Sequence, residues 1–430
     1  MPPRTFGRVF YVDVAYEVRQ IALRSRQASR VMRQAGGETI NELLTDISQR
    51  FRDSQSEILA ANARDIARGE AGGMSAGLLD RLRLTPARLE DLAAAVVQVR
   101  ALDSPIDTVV WGRTVENGLH IEQRRVPIGV VAMIYEARPN VTVDAAVLAL
   151  KTNNAVILRG GSAAADSNRA LVTIMQEALK ARGLPADAVL SLDNLGREAV
   201  PAILTQRGLV DLAIPRGGAG LIQMVIQTAT VPVIETGVGN CHVYVDASAN
   251  LDAAANIIMN AKTQRVGVCN AAETLLVDSA IAPDFLPAIL EQLSHAGVRL
   301  HVDAAASALA GNTPVIPATD ADWETEYLDY DLAVKVVDGL EAALAHIAQY
   351  STGHTEAIVA QDTDVIDRFI AGVDAAAVAI NASTRFTDGG VFGLGAEIGI
   401  STQKLHARGP MGMEALTTTK AIIRGHGHVR

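Results

Sequence analysis

The chain contains 430 residues, of which 49% are hydrophobic, 20% charged and 4% aromatic, and it carries a formal net charge of −10. This length and composition indicate a globular protein of two or three domains and exclude a small disulfide-stapled scaffold. The acidic balance argues against a nucleic-acid partner. With two cysteines, no targeting signal and no apolar stretch near the roughly 20 residues that cross a membrane, a cytoplasmic location is expected.

The N-terminal part of the chain is predicted to be helical after a short extension. Residues 1–13 match neither a helix pattern nor a targeting signal, and we interpret them as a loosely attached extension. Over residues 16–100, apolar side chains recur three and four positions apart, as at Leu59, Ala63 and Ile66. This spacing predicts helices that pack on a surface.

A β-hairpin is predicted at residues 113–125. Asn117-Gly118 lies between two short β-prone segments, which is a strong signal for a two-residue hairpin turn. An isolated hairpin is barely stable in water, so this one needs a further strand. The β-branched segment 416–423 is the candidate partner, either within the chain or across a subunit boundary.

From residue 127 onwards, predicted strands and helices alternate. The first region has strands at 128–135, 155–158, 189–192, 209–214 and 231–234, with helices at 143–150, at 163–182, near Arg197 and near Gly218. The second has a helix at 251–264, a strand at 273–277, a helix at 283–295 and a strand at 333–337. Such alternation predicts an α/β fold with parallel sheets, in which ligands gather at the carboxyl ends of the strands.

Two glycine-rich turns each follow a predicted strand and open a helix. They are Gly-Gly-Ser at 160–162 and Arg-Gly-Gly-Ala-Gly at 216–220. Backbone N–H groups at a helix start and the Ser162 hydroxyl can face a phosphate, while glycine allows close approach. One such motif is equally consistent with an ordinary tight turn and N-cap. Two on one sheet favour a phosphate-rich cofactor, although neither is the dinucleotide fingerprint.

Cys269 lies in a predicted loop between a helix stopped by Gly267 and a strand that begins near Glu273. Most free cysteines are inert buried side chains, and Cys241, inside a predicted strand at 241–245, keeps that interpretation. A glycine-flanked loop can instead expose sulfur to a cleft. Nearby positive charge and backbone N–H groups then increase the reactivity of the thiolate.

Three further segments carry polar side chains at strand ends or in loops. Glu235 ends an apolar run, where a half-buried carboxylate is either paired structurally or a proton carrier with a raised pKa. Residues 135–140 follow a strand and either direct a polar group at a bound carbonyl or form a loop with an ion pair. Residues 381–386 offer hydroxyls and a guanidinium that suit a carboxylate or phosphate, or form a solvated turn.

Together these motifs resemble the gamma-glutamyl phosphate reductase family of the aldehyde dehydrogenase superfamily. The resemblance runs from about residue 16 to near the C terminus and depends on five blocks, which are YEARPN at 135–140, RGGS at 159–162, VIETGVGNCH at 233–242, GVCN at 267–270 and NASTRFTDGG at 381–390. It implies two parallel-sheet α/β lobes and a small β oligomerisation flap. The implied segments are a cofactor-binding domain at 14–110 and 127–235, a catalytic domain at 236–400, and oligomerisation elements at 111–126 and 408–430.

The resemblance also implies a reaction. The protein would reduce L-glutamyl 5-phosphate to L-glutamate 5-semialdehyde with NADPH and release phosphate, as a step of proline biosynthesis. Cys269 would be the nucleophile that forms a thioester, which divides one difficult displacement into two easier steps. Asn140 and the Cys269 N–H would stabilise the oxyanion, and Glu235 would assist proton transfer.

Binding roles follow from the same resemblance. The implied cofactor residues are Arg159, Gly160, Ser162, Arg216, Gly217, Gly218, Gly220 and Glu326, with Arg159 on the 2′-phosphate and Glu326 on the nicotinamide ribose. The implied substrate residues are Arg138, His354, Ser383, Thr384 and Arg385, because an anionic substrate needs positive and hydrogen-bonding partners. A homo-oligomer is expected, glutamate 5-kinase is a candidate partner, and no metal site is predicted.

Two alternatives stay open at this point. An aldehyde dehydrogenase that oxidises a free aldehyde would use the same thioester, but only the reductase requires inorganic phosphate when it runs in reverse. The second alternative is a binding protein that kept the fold and lost activity. Such a protein would not be expected to retain all the reacting groups, as this sequence does.

Overall fold

The computed structural model describes residues 13–430, which form two compact units. Unit 1 contains the described residues up to Ile234 together with Gly412–Arg430, and unit 2 is Glu235–Met411. The extension expected at 1–13 falls almost entirely outside the described residues. Within residues 13–430, no helix combines the length and apolar character needed to cross a membrane.

Helices and strands alternate through most of the chain. The helices are α1 (Val14–Met32), α2 (Gly37–Asp53), α3 (Gln55–Ala71), α4 (Ala76–Leu82), α5 (Pro86–Ala101), α6 (Pro139–Lys151), α7 (Ala165–Ala181), α8 (Ala199–Leu204), α9 (Ala219–Thr228), α10 (Leu251–Thr263), α11 (Ala282–His295), α12 (Ala304–Leu309), α13 (Asp320–Glu324), α14 (Gly339–Tyr350) and α15 (Thr363–Gly372). The strands are β1 (Val109–Thr114), β2 (His120–Pro127), β3 (Val130–Tyr135), β4 (Ala155–Arg159), β5 (Val189–Ser191), β6 (Leu212–Arg216), β7 (Cys241–Val245), β8 (Ala272–Asp278), β9 (Arg299–Val302), β10 (Ile316–Pro317), β11 (Asp331–Val337), β12 (Thr355–Val359), β13 (Ala377–Ile380), β14 (Ile400–Ser401), β15 (Gly409–Pro410) and β16 (Thr417–Arg424).

The main sheet of unit 1 is parallel, with strand order β5-β4-β3-β6. All residues of β3 and β4 are buried, as continuous apolar strands of a parallel sheet require. The strand predicted at 231–234 is wrong, because this segment forms only a single bridge between Val233 and Ala213. Pro232 lacks the N–H that a longer ladder would use.

The sheet of unit 2 is also parallel and has the order β10-β9-β11-β8-β7-β12-β13. Successive residues of β8 point to opposite faces, so that Leu275 packs in the core with α10 and α11, and Leu276 packs in the core with α14 and α15. Both faces are therefore covered, which explains why every residue of β8 is buried. The predicted α/β fold with two parallel sheets is confirmed.

A small antiparallel sheet, β1-β2-β16, confirms the predicted hairpin and places its partner strand in the same chain. The turn differs from the predicted two-residue type. The Gly118 N–H donates to the Val115 carbonyl at 2.8 Å, the Val115 N–H donates to the Leu119 carbonyl at 2.9 Å, and Gly118 has φ +85°. This three-residue loop needs the left-handed conformation only at glycine. The oligomerisation role of the sheet stays a prediction.

Candidate active site

The candidate nucleophile lies at the amino edge of the unit 2 sheet. Four neighbouring strands, in the order β11-β8-β7-β12, are preceded by segments that carry Glu326, Cys269, Gly239 and Thr352, respectively. Because the strands are parallel, these four segments share one edge of the sheet. The sequence analysis expected ligands at the carboxyl ends of parallel strands, but it also placed Cys269 in a loop before a strand, and the structure has Cys269 at that position.

Backbone contacts fix the loop that carries Cys269. The Cys269 side chain is half-buried. A Cβ atom at Gly239 would lie 1.5 Å from the Cys269 carbonyl oxygen, so this close approach requires glycine. The Cys241 thiol donates to the same carbonyl at 3.2 Å. Burial raises the pKa of Cys241 well above its usual value, which keeps this donor protonated and unreactive.

The segment 383–387 packs against the Cys269 loop through polar contacts. The Thr384 hydroxyl donates to the Asn270 carbonyl at 2.6 Å, and the Asn270 side-chain amide donates to the Thr387 carbonyl at 2.8 Å. Thr384 is fully buried, and the nearly buried Ser383 accepts the Arg385 N–H at 3.3 Å. The Thr384 hydroxyl is therefore engaged inside the protein, which argues against a direct substrate contact for it, while the substrate role of Ser383 stays a prediction.

Arg385 is the cation that this segment brings to the Cys269 loop. Its side chain is half-buried, and its Nε donates to Gln264 at 2.8 Å. Burial lowers the pKa of the guanidinium, while Asp388 and the sulfur of Cys269 act in the opposite direction. An arginine side chain stays charged at neutral pH under such a shift. Arg385 therefore supplies a positive charge close to the candidate nucleophile.

His354 does not supply the positive charge that the sequence analysis expected of it. The side chain is fully buried, and burial lowers its pKa to about 4. Its Nδ1 lies 3.8 Å from the Cys241 sulfur and 2.8 Å from the Thr355 hydroxyl. A neutral, buried ring of this kind supports the strands behind the site and does not neutralise a substrate.

Glu326 lies beside the Cys269 loop because both contact Gly239. The Gly239 N–H donates to Glu326 Oε1 at 2.7 Å, and the carboxyl is half-buried. Burial raises the pKa of Glu326, while the Gly239 N–H opposes that shift. One carboxylate oxygen is thus occupied by the backbone, and the other can accept from a ligand hydroxyl.

A buried ion pair supports the segment that carries Glu326, and the sequence analysis missed it. Lys262 and Glu273 lie 2.6 Å apart with both side chains fully buried, and Glu273 also accepts the Leu328 N–H at 3.2 Å. Leu328 has φ +54°, a conformation that needs such support. A glutamate shortly before the apolar run at 275–277, within a strand that is buried throughout, was the signal that could have revealed the pair.

Glu235 is half-buried and forms a reciprocal pair with Gln403. The Glu235 N–H donates to Gln403 Oε1 at 3.0 Å, and Gln403 Nε2 donates to Glu235 Oε1 at 2.6 Å. The expectation of a half-buried carboxylate is met, and the structure supplies its partner. Sequence reasoning missed Gln403 because nothing in a lone glutamine 168 positions away indicates this contact.

In unit 1, the glycine-rich turns lie at the carboxyl ends of β4 and β6. A Cβ atom at Gly161 would lie 2.7 Å from the Ala137 nitrogen, and one at Gly217 would lie 2.9 Å from Glu136 Cγ. The Gly218 N–H donates to Glu136 Oε1 at 2.9 Å. A phosphate at the second turn would therefore meet a carboxylate. The first turn offers the exposed hydroxyl of Ser162 instead.

Arg159 is engaged by the backbone of its own turn. The side chain is 9% exposed, and its two Nη atoms donate to the carbonyls of Gly160 at 2.7 Å and Gly196 at 3.2 Å. The Gly160 N–H in turn donates to Asp193 at 2.7 Å. This placement argues against the 2′-phosphate contact expected of Arg159, because its guanidinium already holds two segments together.

The remaining predicted residues of unit 1 follow β3 and β6. Arg138 is half-buried at the start of α6, and Asn140 is exposed, with its amide 3.4 Å from Asp144 Oδ2. The Arg216 carbonyl accepts the Glu136 N–H at 3.3 Å, and Gly220 has no atom within 4 Å of an added Cβ. The roles of these residues stay predictions.

Comparisons with known proteins agree with this arrangement. Residues 5–329 match the model of the aldehyde dehydrogenase family. The gamma-glutamyl phosphate reductase of Kineococcus radiotolerans is 58% identical over 412 residues, which cover 95% of each chain. That of Thermobifida fusca is 52% identical over 418 residues, which cover 97% of this chain and 100% of the relative. The crystal structure of gamma-glutamyl phosphate reductase from Thermotoga maritima matches with a TM-score of 0.94 at 46% identity and covers 96% of this chain and 100% of that one.

Proposed function

This chain belongs to the aldehyde dehydrogenase family and, within it, to the gamma-glutamyl phosphate reductases, and from this premise we propose that it reduces L-glutamyl 5-phosphate to L-glutamate 5-semialdehyde with NADPH. The observation that carries the proposal is a half-buried Cys269, held by backbone contacts, in a loop against which the segment of the charged Arg385 packs. A nucleophilic sulfur and a nearby cation are what an acyl phosphate requires.

The protein's own residues divide the reaction into two parts. In the first, the Cys269 thiolate attacks the acyl carbon, the bond from that carbon to the phosphate oxygen breaks, and phosphate leaves with the electron pair. Arg385 stabilises the negative charge on the leaving phosphate. The Cys269 N–H and Asn140 are the proposed donors to the oxyanion that forms on the acyl oxygen.

The second part returns the sulfur to its starting state. Once the thioester carbon has accepted a hydride and its oxygen a proton, the product is a thiohemiacetal on Cys269. Its carbon–sulfur bond then breaks, and the semialdehyde is released with regeneration of the Cys269 thiol. Glu235 is the proposed carrier of the proton that moves between the thiohemiacetal hydroxyl and the sulfur. Gln403 donates one hydrogen bond to the Glu235 carboxylate and accepts another from the Glu235 backbone N–H, so this carboxylate does not have to be ordered during turnover.

A nicotinamide cofactor fits residues on this chain. The half-buried Glu326 carboxylate has an oxygen for a ribose hydroxyl, and Ser162 and Gly220 are exposed beside turns where backbone can approach a ligand. When bound, the cofactor supplies the hydride that reduces the thioester. For the 2′-phosphate we propose the exposed Arg197, next to Gly196, in place of Arg159.

Three further expectations belong to this proposal. A catalytic thiol is most readily kept reduced in the cytosol, which supports the cytoplasmic location. Assembly into a homo-oligomer and association with glutamate 5-kinase stay predictions.

The reverse reaction tests the proposal. Purified protein is given glutamate 5-semialdehyde and NADP⁺, with and without inorganic phosphate, and the appearance of NADPH is followed. We expect turnover that depends on phosphate in the wild type and is lost in Cys269→Ala. Turnover without phosphate would indicate the oxidation of a free aldehyde instead. Turnover that survives in Cys269→Ala would exclude Cys269 as the nucleophile.

A further inference from the structure

We propose that Thr352 is a positioning residue of this active site, because its hydroxyl holds Gly239 from both sides. The Thr352 hydroxyl accepts the Asn240 N–H at 3.1 Å and donates to the Val238 carbonyl at 2.5 Å. One hydroxyl therefore connects the peptide groups on either side of Gly239. The inference rests on the proposed function, since it assigns Thr352 to the placement of the same nucleophile and cofactor carboxylate.

The Thr352 hydroxyl affects Glu326 and the Cys269 loop through Gly239. Its N–H holds Glu326 at 2.7 Å, and its Cα packs so closely on the Cys269 carbonyl that an added Cβ would lie 1.5 Å away. A shift of Gly239 would therefore displace the proposed ribose acceptor and the nucleophile loop together. The small size of glycine permits this approach but does not restrain it, so the restraint has to come from a neighbour.

Thr352 can provide that restraint because its own segment is anchored to the interior. The neighbouring Ser351 hydroxyl donates to Glu356 at 2.5 Å and accepts the Gly353 N–H at 2.8 Å. Glu356 and His242 form a fully buried pair at 3.0 Å. The loop before β12 is thus fixed to the middle of the sheet, and the Thr352 hydroxyl transmits that fixed position to Gly239.

Asn240 provides a second, independent support for the same segment. Its side chain is fully buried, and Nδ2 donates to the carbonyls of Trp323 at 2.8 Å and Tyr350 at 2.9 Å. The segment should therefore keep its overall path when the Thr352 hydroxyl is removed. The loss should appear as imprecise placement of Gly239, which a measurement of function detects more readily than a measurement of folding.

The test compares Thr352→Val with Thr352→Ser. Valine keeps the shape and removes the hydroxyl, whereas serine keeps the hydroxyl, and Thr352→Ala is the second variant without it. Three quantities are measured: kcat/KM in the reverse assay, the affinity for NADP⁺ by calorimetry, and the rate at which iodoacetamide alkylates Cys269 between pH 6 and 9. We expect the valine and alanine variants to lose roughly 10- to 100-fold in kcat/KM, in line with small misplacements of reacting groups.

The two routes through Gly239 give separate readouts. Weaker NADP⁺ binding reports the shift of Glu326. The loss of NADP⁺ affinity caused by Thr352→Val should be smaller in a Glu326→Gln background than in the wild type, because the effects of coupled residues are not additive. A shifted pH profile of alkylation reports the change at Cys269. Serine should stay within about twofold of the wild type in all three measurements.

Several results would overturn the inference. They are a valine variant that matches serine in all three measurements, equal impairment of valine and serine, or full additivity with Glu326→Gln. Hydrogen exchange on the wild type provides a check that needs no variant. Rapid exchange of the Asn240 backbone amide would show that its hydrogen bond to the Thr352 hydroxyl does not form. A wild type without phosphate-dependent turnover would instead refute the proposed function, so the two failures are distinguishable.

Discussion

The thiol of Cys241 lies 3.2 Å from the carbonyl oxygen of Cys269, so two cysteines that are 28 positions apart in the chain are neighbours in the fold. Their environments differ sharply. Cys241 is fully buried, with burial raising its pKa, whereas Cys269 is half-buried at the edge of the sheet. One sulfur therefore serves as a buried hydrogen-bond donor that fixes the loop, and the other lies in a partly exposed side chain.

This difference predicts selective alkylation. Native protein treated with iodoacetamide near pH 8 should be labelled at Cys269 and spared at Cys241, because only an accessible thiolate reacts. Peptide mapping by mass spectrometry measures both sites in one sample. In denaturant both cysteines should react, which provides the control. Equal labelling of both sites in the native protein would contradict the assignment of Cys241 as a buried donor.

Gly239→Ala should abolish most of the activity. The added methyl group would lie 1.5 Å from the Cys269 carbonyl oxygen, so the nucleophile loop would have to move. A misplacement of this kind should cost on the order of 100-fold or more in kcat/KM. Gly77→Ala is the matched control, since Gly77 is exposed in α4 with nothing within 4 Å of an added Cβ. That variant should be active and slightly more stable. Comparable activity in the two variants would refute the close approach.

Glu235→Gln should slow turnover by roughly 100-fold if Glu235 carries a proton, as is typical for a positioned acid or base. Glutamine keeps the shape and hydrogen-bonding capacity at this position, so the fold should be unaffected. Gln403→Leu should have a smaller effect, because the carboxylate remains and only its restraint is lost. Steady-state kinetics in the reverse assay measures both. Unchanged kcat in Glu235→Gln would leave the carboxylate with a structural role.

The Lys262–Glu273 pair predicts a change in stability. Lys262→Met would leave Glu273 as an uncompensated carboxylate in a fully buried site, which typically costs about 3–5 kcal/mol in the free energy of unfolding. Chemical denaturation measures the change. Asp329→Asn is the control, because it removes an exposed partner of Arg299 and should change stability little. A Lys262→Met variant as stable as the wild type would show that the buried pair is not needed for folding.

The sequence predicted the order of elements well wherever one physical signal dominated. Apolar strands buried on both faces, such as β3 and β4, were identified by composition, and the Asn117-Gly118 signal located the hairpin. The sequence placed Cys269 in a loop before a strand, but it could not predict which other loops meet there, because alternation of strands and helices fixes strand direction but not the order of the strands in the sheet. The glutamine that holds Glu235 was missed for a related reason, since a contact between segments far apart in the chain leaves no local pattern.

The same limit explains why the structure argues against the binding roles predicted for Arg159 and His354. A sequence motif identifies an ionisable side chain, but the contacts of that side chain in the folded protein decide whether it is charged and whether it faces a ligand. Arg159 is engaged by two backbone carbonyls, and His354 is buried and neutral. Burial and hydrogen bonding are properties of the folded chain, so only the structure separates these side chains from Arg385, which is half-buried next to the nucleophile loop.

The burial of His354 predicts how stability depends on pH. Burial lowers the pKa of His354 to about 4, below the usual value of about 6.5. Between these pH values the unfolded chain binds a proton at this side chain and the folded protein does not. The free energy of unfolding should therefore be highest above pH 6.5 and fall as the pH decreases towards 4, by on the order of 3 kcal/mol from this group. His354→Gln removes the titrating ring, so its unfolding free energy should fall less steeply between pH 7 and 5, whatever constant offset the substitution adds. Denaturant titrations at several pH values give both curves, and parallel curves would show that the ring already binds its proton at its ordinary pKa in the folded state.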